Sequence, residues 1–366
     1  MSDCEWMVQN CDVREGLAYW PDEQFNCVVT SPPYWGLRDY GTAKWEGGDA
    51  GCDHRANGER RQLPHGDGRA HDSYADERHL IPGAGANFKD VCGKCGARRI
   101  DAQLGLERTP DEYVARLVEV FRDVKRTLRN DGVMWIVVGD SYAANRSYQI
   151  GSTKGGSKHA PAQSHQASNS VPPGLKPKDL VGIPWLLAFA LRADGWYLRA
   201  DCIWHKPNAM PSSQRDRPTV DYEHVFMFTK SEKYWYDGEA VKEVSVSNHS
   251  SGNKKRKIAD GTDRSRLNTH LGSSIPWEDS GTGRSRRSVW SINTESYKGA
   301  HFATYPTALV EPLILSSCPI DGWILDPFAG SGTTLSVANR LGRNSVGIEL
   351  NGEYVKMAEA RIPTGK

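Results

Sequence analysis

Residues 29–35 read Val29-Thr30-Ser31-Pro32-Pro33-Tyr34-Trp35 and close an apolar run at residues 25–29, a pattern that predicts a buried strand. Neither proline can donate a backbone hydrogen bond, and each restricts the residue before it, so we expect a rigid turn with free carbonyl groups. Ser31 Oγ and the Pro32 carbonyl can accept both hydrogens of an amine, while Tyr34 offers a ring for stacking. The stretch therefore predicts a pocket for a planar ring that carries an amino group, such as a nucleobase.

Length and composition fit a globular protein without membrane spans. The chain has 366 residues, 38% of them hydrophobic, which suits one large α/β domain with insertions or two domains. No apolar run reaches the ~18 residues of a membrane span, and the first ten residues do not resemble a secretion signal. We therefore expect a cytoplasmic protein with no membrane partner. Because the net charge is only +1, any polyanion must be held by local basic clusters.

The spacing of apolar residues predicts strands that alternate with helices. A helix opening at Thr109 and ending at Asn130 separates the predicted strands 25–29 and 133–138, a unit that implies parallel pairing. Further strands are predicted at residues 6–10, 197–204, 222–229, 323–325 and 345–349, and further helices at residues 13–20, 180–191, 307–318 and 352–361 and in the stretch that ends at Leu341. The pattern indicates an α/β fold.

A second turn follows the predicted strand 323–325 and reads Asp326-Pro327-Phe328-Ala329-Gly330-Ser331-Gly332-Thr333-Thr334. Glycines between a strand and a helix let a ligand approach the backbone and leave helix amides facing it. Glu349 ends the next strand, where a carboxylate can bind both hydroxyls of a ribose. The turn lacks the third glycine of a dinucleotide fingerprint, and Asp326 would repel a pyrophosphate and attract an ammonium group. These features favour S-adenosylmethionine over NAD as the cofactor.

Residues 41–106 interrupt this pattern, because they are rich in Gly, Arg, His and Asp and lack apolar periodicity. The insertion contains two chelating pairs, Cys52-x-His54 and Cys92-x-x-Cys95, the second of which is typical of a turn that wraps zinc. Four ligands close such a site, so we expect a structural Zn²⁺ that orders the insertion. Other histidines of the insertion are alternatives to the first pair: His65, His71 and His79.

Residues 244–296 form a second polar segment that is rich in basic residues, among them Lys254, Lys255, Arg256, Lys257, Arg284, Arg286 and Arg287. Such charge runs are usually only solvated. The nearby tryptophans Trp277 and Trp290 favour a second interpretation, in which the segment contacts the phosphates of a nucleic acid. We expect a DNA-recognition segment here.

The two turns together resemble the motifs of amino-methylating DNA methyltransferases of the permuted, beta arrangement, in which the catalytic half precedes the cofactor turn. The resemblance covers most of the chain. It implies a Rossmann-like, circularly permuted methyltransferase fold that depends on S-adenosylmethionine and has a mostly parallel seven-stranded sheet. Residues 1–40 and 107–243 would form the catalytic half and residues 297–366 the cofactor-binding half, with the zinc-binding and DNA-recognition insertions at residues 41–106 and 244–296.

The resemblance also implies roles for single residues. The catalytic tetrapeptide is Ser31, Pro32, Pro33 and Tyr34, and Trp35 belongs to the base pocket. The residues expected to bind the cofactor are Asp12, Thr30, Phe302, Asp326, Pro327, Phe328, Gly330, Gly332, Thr333 and Glu349. Asp12 has a second interpretation as a helix N-cap. Phe302 belongs to residues 301–306, which resemble the lining of the methionine end.

The implied reaction is methylation of an exocyclic amine, cytosine N4 or adenine N6, in double-stranded DNA after the base has flipped out of the helix. Ser31 is similar to the residue of the cytosine-N4 branch, although adenine-N6 enzymes with serine exist, so cytosine is favoured. The alternatives are an RNA methyltransferase, an NAD-dependent oxidoreductase and a non-catalytic, zinc-bearing DNA-binding protein. The family comes mostly from restriction-modification systems or phages, which implies a bacterial or phage-infected cell and a restriction endonuclease as a partner.

Overall fold

A computed structural model describes residues 4–36, 42–52, 91–143, 171, 174–212, 214–243, 283–295 and 305–362. The strands are β1 (Trp6–Asn10), β2 (Phe25–Thr30), β3 (Lys44–Glu46), β4 (Arg98–Ile100), β5 (Leu128–Val138), β6 (Tyr197–His205), β7 (Tyr222–Thr229), β8 (Val289–Ser291), β9 (Trp323–Asp326) and β10 (Asn344–Glu349). The α-helices are α1 (Val13–Tyr19), α2 (Pro110–Thr127), α3 (Ile183–Ala193), α4 (Thr307–Ser317), α5 (Thr333–Arg340) and α6 (Gly352–Arg361).

Eight of the described strands form one sheet in the order β1-β10-β9-β2-β5-β7-β6-β8. Strand β7 runs antiparallel to both of its neighbours, and the other pairings are parallel. The predicted α/β fold with a mostly parallel sheet is confirmed. The predicted number of seven strands was wrong, because the three residues of β8 add an edge strand that is too short to show a periodic pattern.

Helices cover both faces of the sheet, which explains why its central strands are apolar throughout. Along β5, Val133, Trp135 and Val137 pack with α4 and α5 on one face. The alternate residues of β5 pack with α1, α2 and α3 on the other face. The turn after β2 and the glycine turn after β9 therefore both leave from strands that are fixed on two sides.

Two helix boundaries differ from the sequence prediction for local reasons. Helix α2 ends at Thr127 and not at Asn130, because Leu128 pairs with Phe25 in the sheet and is fully buried. Helix α3 begins at Ile183 and not at Leu180, because its N-cap Gly182 has a φ of 84°, a left-handed conformation that glycine adopts without strain.

No helix in the described part of the chain is long and apolar enough to cross a membrane. The two most apolar helices, α3 and α4, have 11 residues each, whereas a span needs about 20.

Two adjacent leucines of α3 test how the sheet face is covered. Leu187 is fully buried in the core, whereas 38% of Leu186 is exposed. We expect Leu187→Ala to lower the free energy of unfolding by about 2–5 kcal/mol, because it leaves a cavity. The matched variant Leu186→Ala should change it by much less, since an exposed side chain has little packing to lose. Equal losses in urea titrations of the two variants would contradict this packing.

Candidate functional site

The turn after β2 and the turn after β9 lie side by side although they are about 300 residues apart in the chain. Strands β2 and β9 are parallel neighbours in which Cys27 pairs with Ile324 and Val28 with Leu325. Parallel neighbours end at the same edge of a sheet, where ligands of α/β proteins bind. The Thr30 hydroxyl donates a 2.7 Å hydrogen bond to Asp326 Oδ1 and so joins the two turns directly.

Asp326 is fully buried, and all of its described hydrogen bonds come from the protein. Besides Thr30, the Tyr305 hydroxyl donates to Oδ2 at 2.9 Å and the Phe328 amide donates to Oδ1 at 3.1 Å. Burial raises the pKa of Asp326 above its usual range, and these hydrogen bonds counteract the shift. Tyr305 also pairs with the Thr334 hydroxyl. The carboxyl group is thus a central hydrogen-bond acceptor that supports both turns.

A cavity of about 220 Å³ opens between the two turns. It is lined by predicted residues from both halves of the chain: Asp12, Ser31, Pro32, Pro33, Tyr34, Pro327, Phe328, Gly330, Thr333 and Glu349. It is also lined by residues that the sequence analysis did not single out: Cys11, Val13, Thr42, Ala102, Gln103, Leu104, Tyr305, Ala329, Ser331, Ile348, Leu350, Asn351 and Tyr354. The structure therefore brings the amine-pocket motif and the glycine turn to one cavity.

Glu349 lies at the end of β10 and is held by two backbone amides. Gly330 N donates to Oε2 and Asn351 N donates to Oε1, each at 2.8 Å. Burial raises the pKa of Glu349 to about 7. The Leu350 amide also stabilises the ionised carboxylate. A carboxylate has about four acceptor positions in all, so the amides leave acceptor capacity for a ligand. A side chain at Gly330 would project into open space, so the backbone leaves room beside this carboxylate.

Tyr34 is oriented by residues that the sequence analysis missed. Its hydroxyl donates a 2.6 Å hydrogen bond to Glu223 Oε2, and Lys206 contacts the other oxygen of the same carboxylate. A Cβ atom at Gly139 would lie 3.0 Å from the Tyr34 ring and 3.3 Å from Glu223. Burial and the nearby Glu223 raise the pKa of Tyr34 well above its usual value, so the phenol keeps its proton and acts as a hydrogen-bond donor. The only available signal was a glutamate within the apolar stretch of β7.

The two proline carbonyls of the turn have different surroundings. Pro33 O accepts a 2.8 Å hydrogen bond from the Tyr113 hydroxyl on α2. Within the described part of the chain, no protein group donates to Pro32 O. The chain thus fixes the turn through Pro33 and leaves the carbonyl of Pro32 available beside Ser31.

Of the described residues that were predicted to bind the base or the cofactor, four lie outside the lining of the cavity. Thr30 and Asp326 form the buried hydrogen bond below it. A Cβ atom at Gly332 would lie 2.7 Å from Ala358 Cβ, so this glycine allows α5 and α6 to pack closely. Trp35 is buried in the core and donates from Nε1 to the Glu107 carbonyl at 3.0 Å. Its position fits a support for the turn better than a contact with a base.

Asp12 combines both of its predicted interpretations. It caps the N-terminus of α1 by accepting a 2.9 Å hydrogen bond from Arg14 N, and it pairs with the Arg14 guanidinium. It also lines the cavity. A ligand at this position would contact a carboxylate whose orientation is already fixed by the helix cap.

The described part of the basic segment includes three of the seven predicted DNA-binding residues. Arg284 and Arg287 both form ion pairs with Glu243, at 3.4 and 3.2 Å, and Arg286 lies over the ring of Trp290. Trp290 is buried and packs near Trp135, so it belongs to the core and not to a stacking surface. The other predicted residues of this segment, Lys254, Lys255, Arg256 and Lys257, lie outside the described residues, as do Trp277, Phe302 and His54.

Three of the four predicted zinc ligands lie together. The sulfur atoms of Cys52, Cys92 and Cys95 are all within 4.8 Å of one another. Cys52 follows β3, and Cys92 and Cys95 precede β4, so the cluster lies at the end of the hairpin where Glu46 pairs with Arg98. The hairpin is a separate sheet from the main one.

Comparison with known proteins shows the family and the fold of the chain. Residues 25–360 match the DNA methylase family N6_N4_Mtase, and the chain belongs to this family. The Type II methyltransferase M.Cfr9I of Citrobacter freundii is 39% identical over 96% of this chain and 85% of its own length. The Type II methyltransferase M.XycI of Xanthomonas campestris pv. cyanopsidis is 38% identical over 93% of this chain and 82% of its own.

A solved structure of the cytosine-N4-specific PvuII DNA methyltransferase has the same fold. It superposes with a TM-score of 0.54 at 17% identity and covers 99% of this chain and 88% of the PvuII chain. Membership of this family confirms the predicted DNA methyltransferase. It argues against the two alternatives of an oxidoreductase and a non-catalytic DNA-binding protein.

The buried link between the turns can be tested by removing its donor. We expect Thr30→Val to lower the free energy of unfolding by about 1–3 kcal/mol, because Asp326 loses a hydrogen bond in a buried site. Thr30→Ser keeps the hydroxyl and should retain most of the stability. The comparison uses guanidinium titrations of both variants, and a valine variant as stable as the serine variant would refute the role of this bond.

Proposed function

We propose that the chain transfers a methyl group from S-adenosylmethionine to the exocyclic amine of a flipped-out base in double-stranded DNA. Cytosine N4 is the favoured target and adenine N6 is the alternative. The observation that carries the proposal is the shared cavity, which is lined by both the Ser31–Tyr34 turn and the turn that contains Gly330. A methyl transfer requires an amine acceptor and a cofactor turn that border one cavity.

The glycine-turn wall fits the donor molecule. Glu349 keeps acceptor capacity for the ribose hydroxyls, and Gly330 leaves open space beside it. Asp12 and Phe328 line the same cavity and offer an acceptor and an apolar ring. When bound there, S-adenosylmethionine supplies a sulfonium methyl group as the electrophile.

Asp326 is proposed to support the two turns through hydrogen bonds and not to contact an ammonium group directly. It does not line the cavity, and protein donors satisfy both of its oxygens. Its contribution is to hold Thr30 and Tyr305 in place, and Tyr305 itself lines the cavity. Any charge on the carboxyl group favours a cation nearby without touching it.

In the Ser31–Tyr34 turn, Ser31 Oγ and Pro32 O are proposed to accept the two hydrogens of the target amine. The amine is a poor nucleophile, because its lone pair is delocalised into the ring. Two acceptors in a pyramidal arrangement bind it better as the nitrogen becomes tetrahedral, which stabilises the transition state specifically. Tyr34 is proposed to stack on the base, with its ring held by Glu223.

The target base must leave the duplex to reach this cavity, since its amine is otherwise paired. The basic residues of segment 244–296 are proposed to hold DNA phosphates during this step. Arg284 and Arg287 have their charge partly compensated by Glu243, so the proposal rests more on the lysine cluster 254–257. An endonuclease that cuts the same sequence is the proposed partner, because the similar Citrobacter and Xanthomonas proteins are Type II methyltransferases.

The proposed target is tested by methylating DNA with labelled cofactor, digesting it and identifying the modified nucleoside. We expect N4-methylcytosine, on the basis of Ser31. Ser31→Ala should lower kcat roughly 10- to 100-fold, because one acceptor of the amine is lost at about 1.5–3 kcal/mol. The dissociation constant of the cofactor should not change, and Ser336→Ala on α5 is the matched control. Detection of N6-methyladenine would show that adenine and not cytosine is the target base. The absence of any methylated base would refute the proposal.

Cofactor affinity should depend on pH through Glu349. Burial raises its pKa to about 7, and only the ionised carboxylate offers acceptors to both ribose hydroxyls. Affinity should therefore rise as pH increases towards 7, with about a tenfold change per unit below that value, and level off above it. Glu349→Gln has no titrating group and should bind weakly with no such dependence. Calorimetry between pH 6 and 8 decides, and parallel pH profiles for the two proteins would exclude Glu349 as the cause.

A further inference from the structure

The β3–β4 hairpin has too little packing of its own to be stable. Each strand has three residues, and they pair as Lys44 with Ile100, Trp45 with Arg99 and Glu46 with Arg98. An isolated two-stranded hairpin is at best marginally stable in water. Its few buried side chains lie at the cysteine turns, where Cys92 and Ala97 are buried. At the end formed by Glu46 and Arg98, the hairpin is therefore held through the cysteine turns.

Two turns present the three cysteine sulfurs to one point. In the first, Cys52 N donates to Asp49 O at 3.0 Å. In the second, Gly96 N donates to Cys92 O at 2.9 Å, and Gly96 has a φ of 74°. This turn directs Cys92 and Cys95 to the same side as Cys52. The positive φ of glycine allows the chain to fold back around a bound ion.

The spacing of the sulfur atoms fits ligands of one tetrahedral ion. Cys52 Sγ and Cys92 Sγ lie 3.9 Å apart, and all three sulfurs are within 4.8 Å of one another. Thiolates about 2.3 Å from a tetrahedral Zn²⁺ lie about 3.8 Å from each other. A disulfide bond would instead require about 2.0 Å. Because thiolates are soft ligands, three of them select zinc over calcium or magnesium.

The first turn is also packed closely against the second. A Cβ atom at Gly48 would lie 2.7 Å from Cys95 Sγ and 2.9 Å from the Ala97 amide. Gly48 has a φ of 70°. A side chain at this position would push the two cysteine turns apart, so glycine is required by the close approach of the backbone to the sulfur cluster.

Beyond the sulfur cluster, the hairpin continues into the wall of the cavity. Strand β4 ends at Ile100, and Ala102, Gln103 and Leu104 then line the cavity together with Thr42, which precedes β3. One hydrogen bond joins this wall to the turn after β2, because Gly36 N donates to Gly105 O at 2.7 Å. The two backbones are also close, since a Cβ atom at Gly105 would lie only 2.9 Å from Tyr34 O.

We propose that Cys52, Cys92 and Cys95 bind a structural Zn²⁺ that stabilises the β3–β4 hairpin. Through the hairpin, the ion also fixes the position of residues 101–105, which form the cavity wall beside Tyr34. The site stands on the three thiolates. The sequence prediction adds His54 as a fourth ligand, which lies outside the described residues and is tested by its own variant. Metal binding fixes the two cysteine turns relative to each other, and the short strands transmit this constraint to the cavity.

The first part of the test measures metal in the full-length protein. We expect roughly one zinc per chain by mass spectrometry of the metal, and the same value for the matched control Cys4→Ser. Cys92→Ser and Cys95→Ser should lose most of it, whereas Cys95→His should keep it because imidazole is also a zinc ligand. Loss of zinc in the variant His54→Ala would identify His54 as the fourth ligand. A wild-type protein that is purified without zinc and binds none when Zn²⁺ is added overturns the site, as does a Cys52–Cys92 disulfide.

The second part measures hydrogen exchange with and without a chelator, which needs neither cofactor nor DNA. Metal removal should speed exchange in residues 42–52 and 91–105 and leave β5 unchanged. This readout keeps the proposal testable if a cysteine variant does not fold. If zinc is present and its removal changes exchange only at the cysteine turns, the ion does not fix the cavity wall, and that part of the proposal fails.

Discussion

The parallel pairing of β2 with β9 is the constraint on which the site depends. It places the end of a strand near the N-terminus beside the end of a strand near the C-terminus, and the Thr30–Asp326 hydrogen bond fixes the two ends at 2.7 Å. Neither turn would form the cavity alone. The permuted order of the motifs along the chain is therefore compatible with a site whose geometry is set by neighbouring strands and not by sequence distance.

Buried carboxyl groups play different parts around this cavity. Asp326 accepts hydrogen bonds from protein donors on both oxygens and serves as support, whereas Glu349 keeps acceptor capacity towards the cavity. Glu223 does not line the cavity but orients Tyr34, which does. Burial raises the pKa of Asp326 and Glu349, because it disfavours the charged carboxylate. Hydrogen bonds from backbone amides and hydroxyl groups counteract this shift and stabilise the buried carboxylates.

Much of this could be predicted from the sequence, because the decisive signals are local. The proline turn and the glycine turn each follow an apolar strand, and parallel strands bring such turns to one edge. The partners of the turns could not be predicted, because they are distant in the chain: Glu223 is 189 residues from Tyr34. Apolar spacing also does not show which way a side chain at a strand end points, so Asp326 was expected to contact the ligand and is buried instead.

In the basic segment 244–296, the sequence did not show which aromatic side chain is buried. Trp290 lies among arginines and was expected to support nucleic-acid stacking, but it is the central residue of the three-residue edge strand β8 and is buried in the core. A strand of that length has no period to recognise. Composition therefore did not indicate that Trp290 is a core residue.

The most direct test of the central claim is hydrogen exchange of the full-length protein with and without S-adenosylmethionine. If the two turns form one site, the cofactor should slow exchange in peptides that cover residues 31–36 as well as in those that cover residues 326–334. Protection of residues 326–334 alone, with residues 31–36 unchanged at saturating cofactor, would contradict the account.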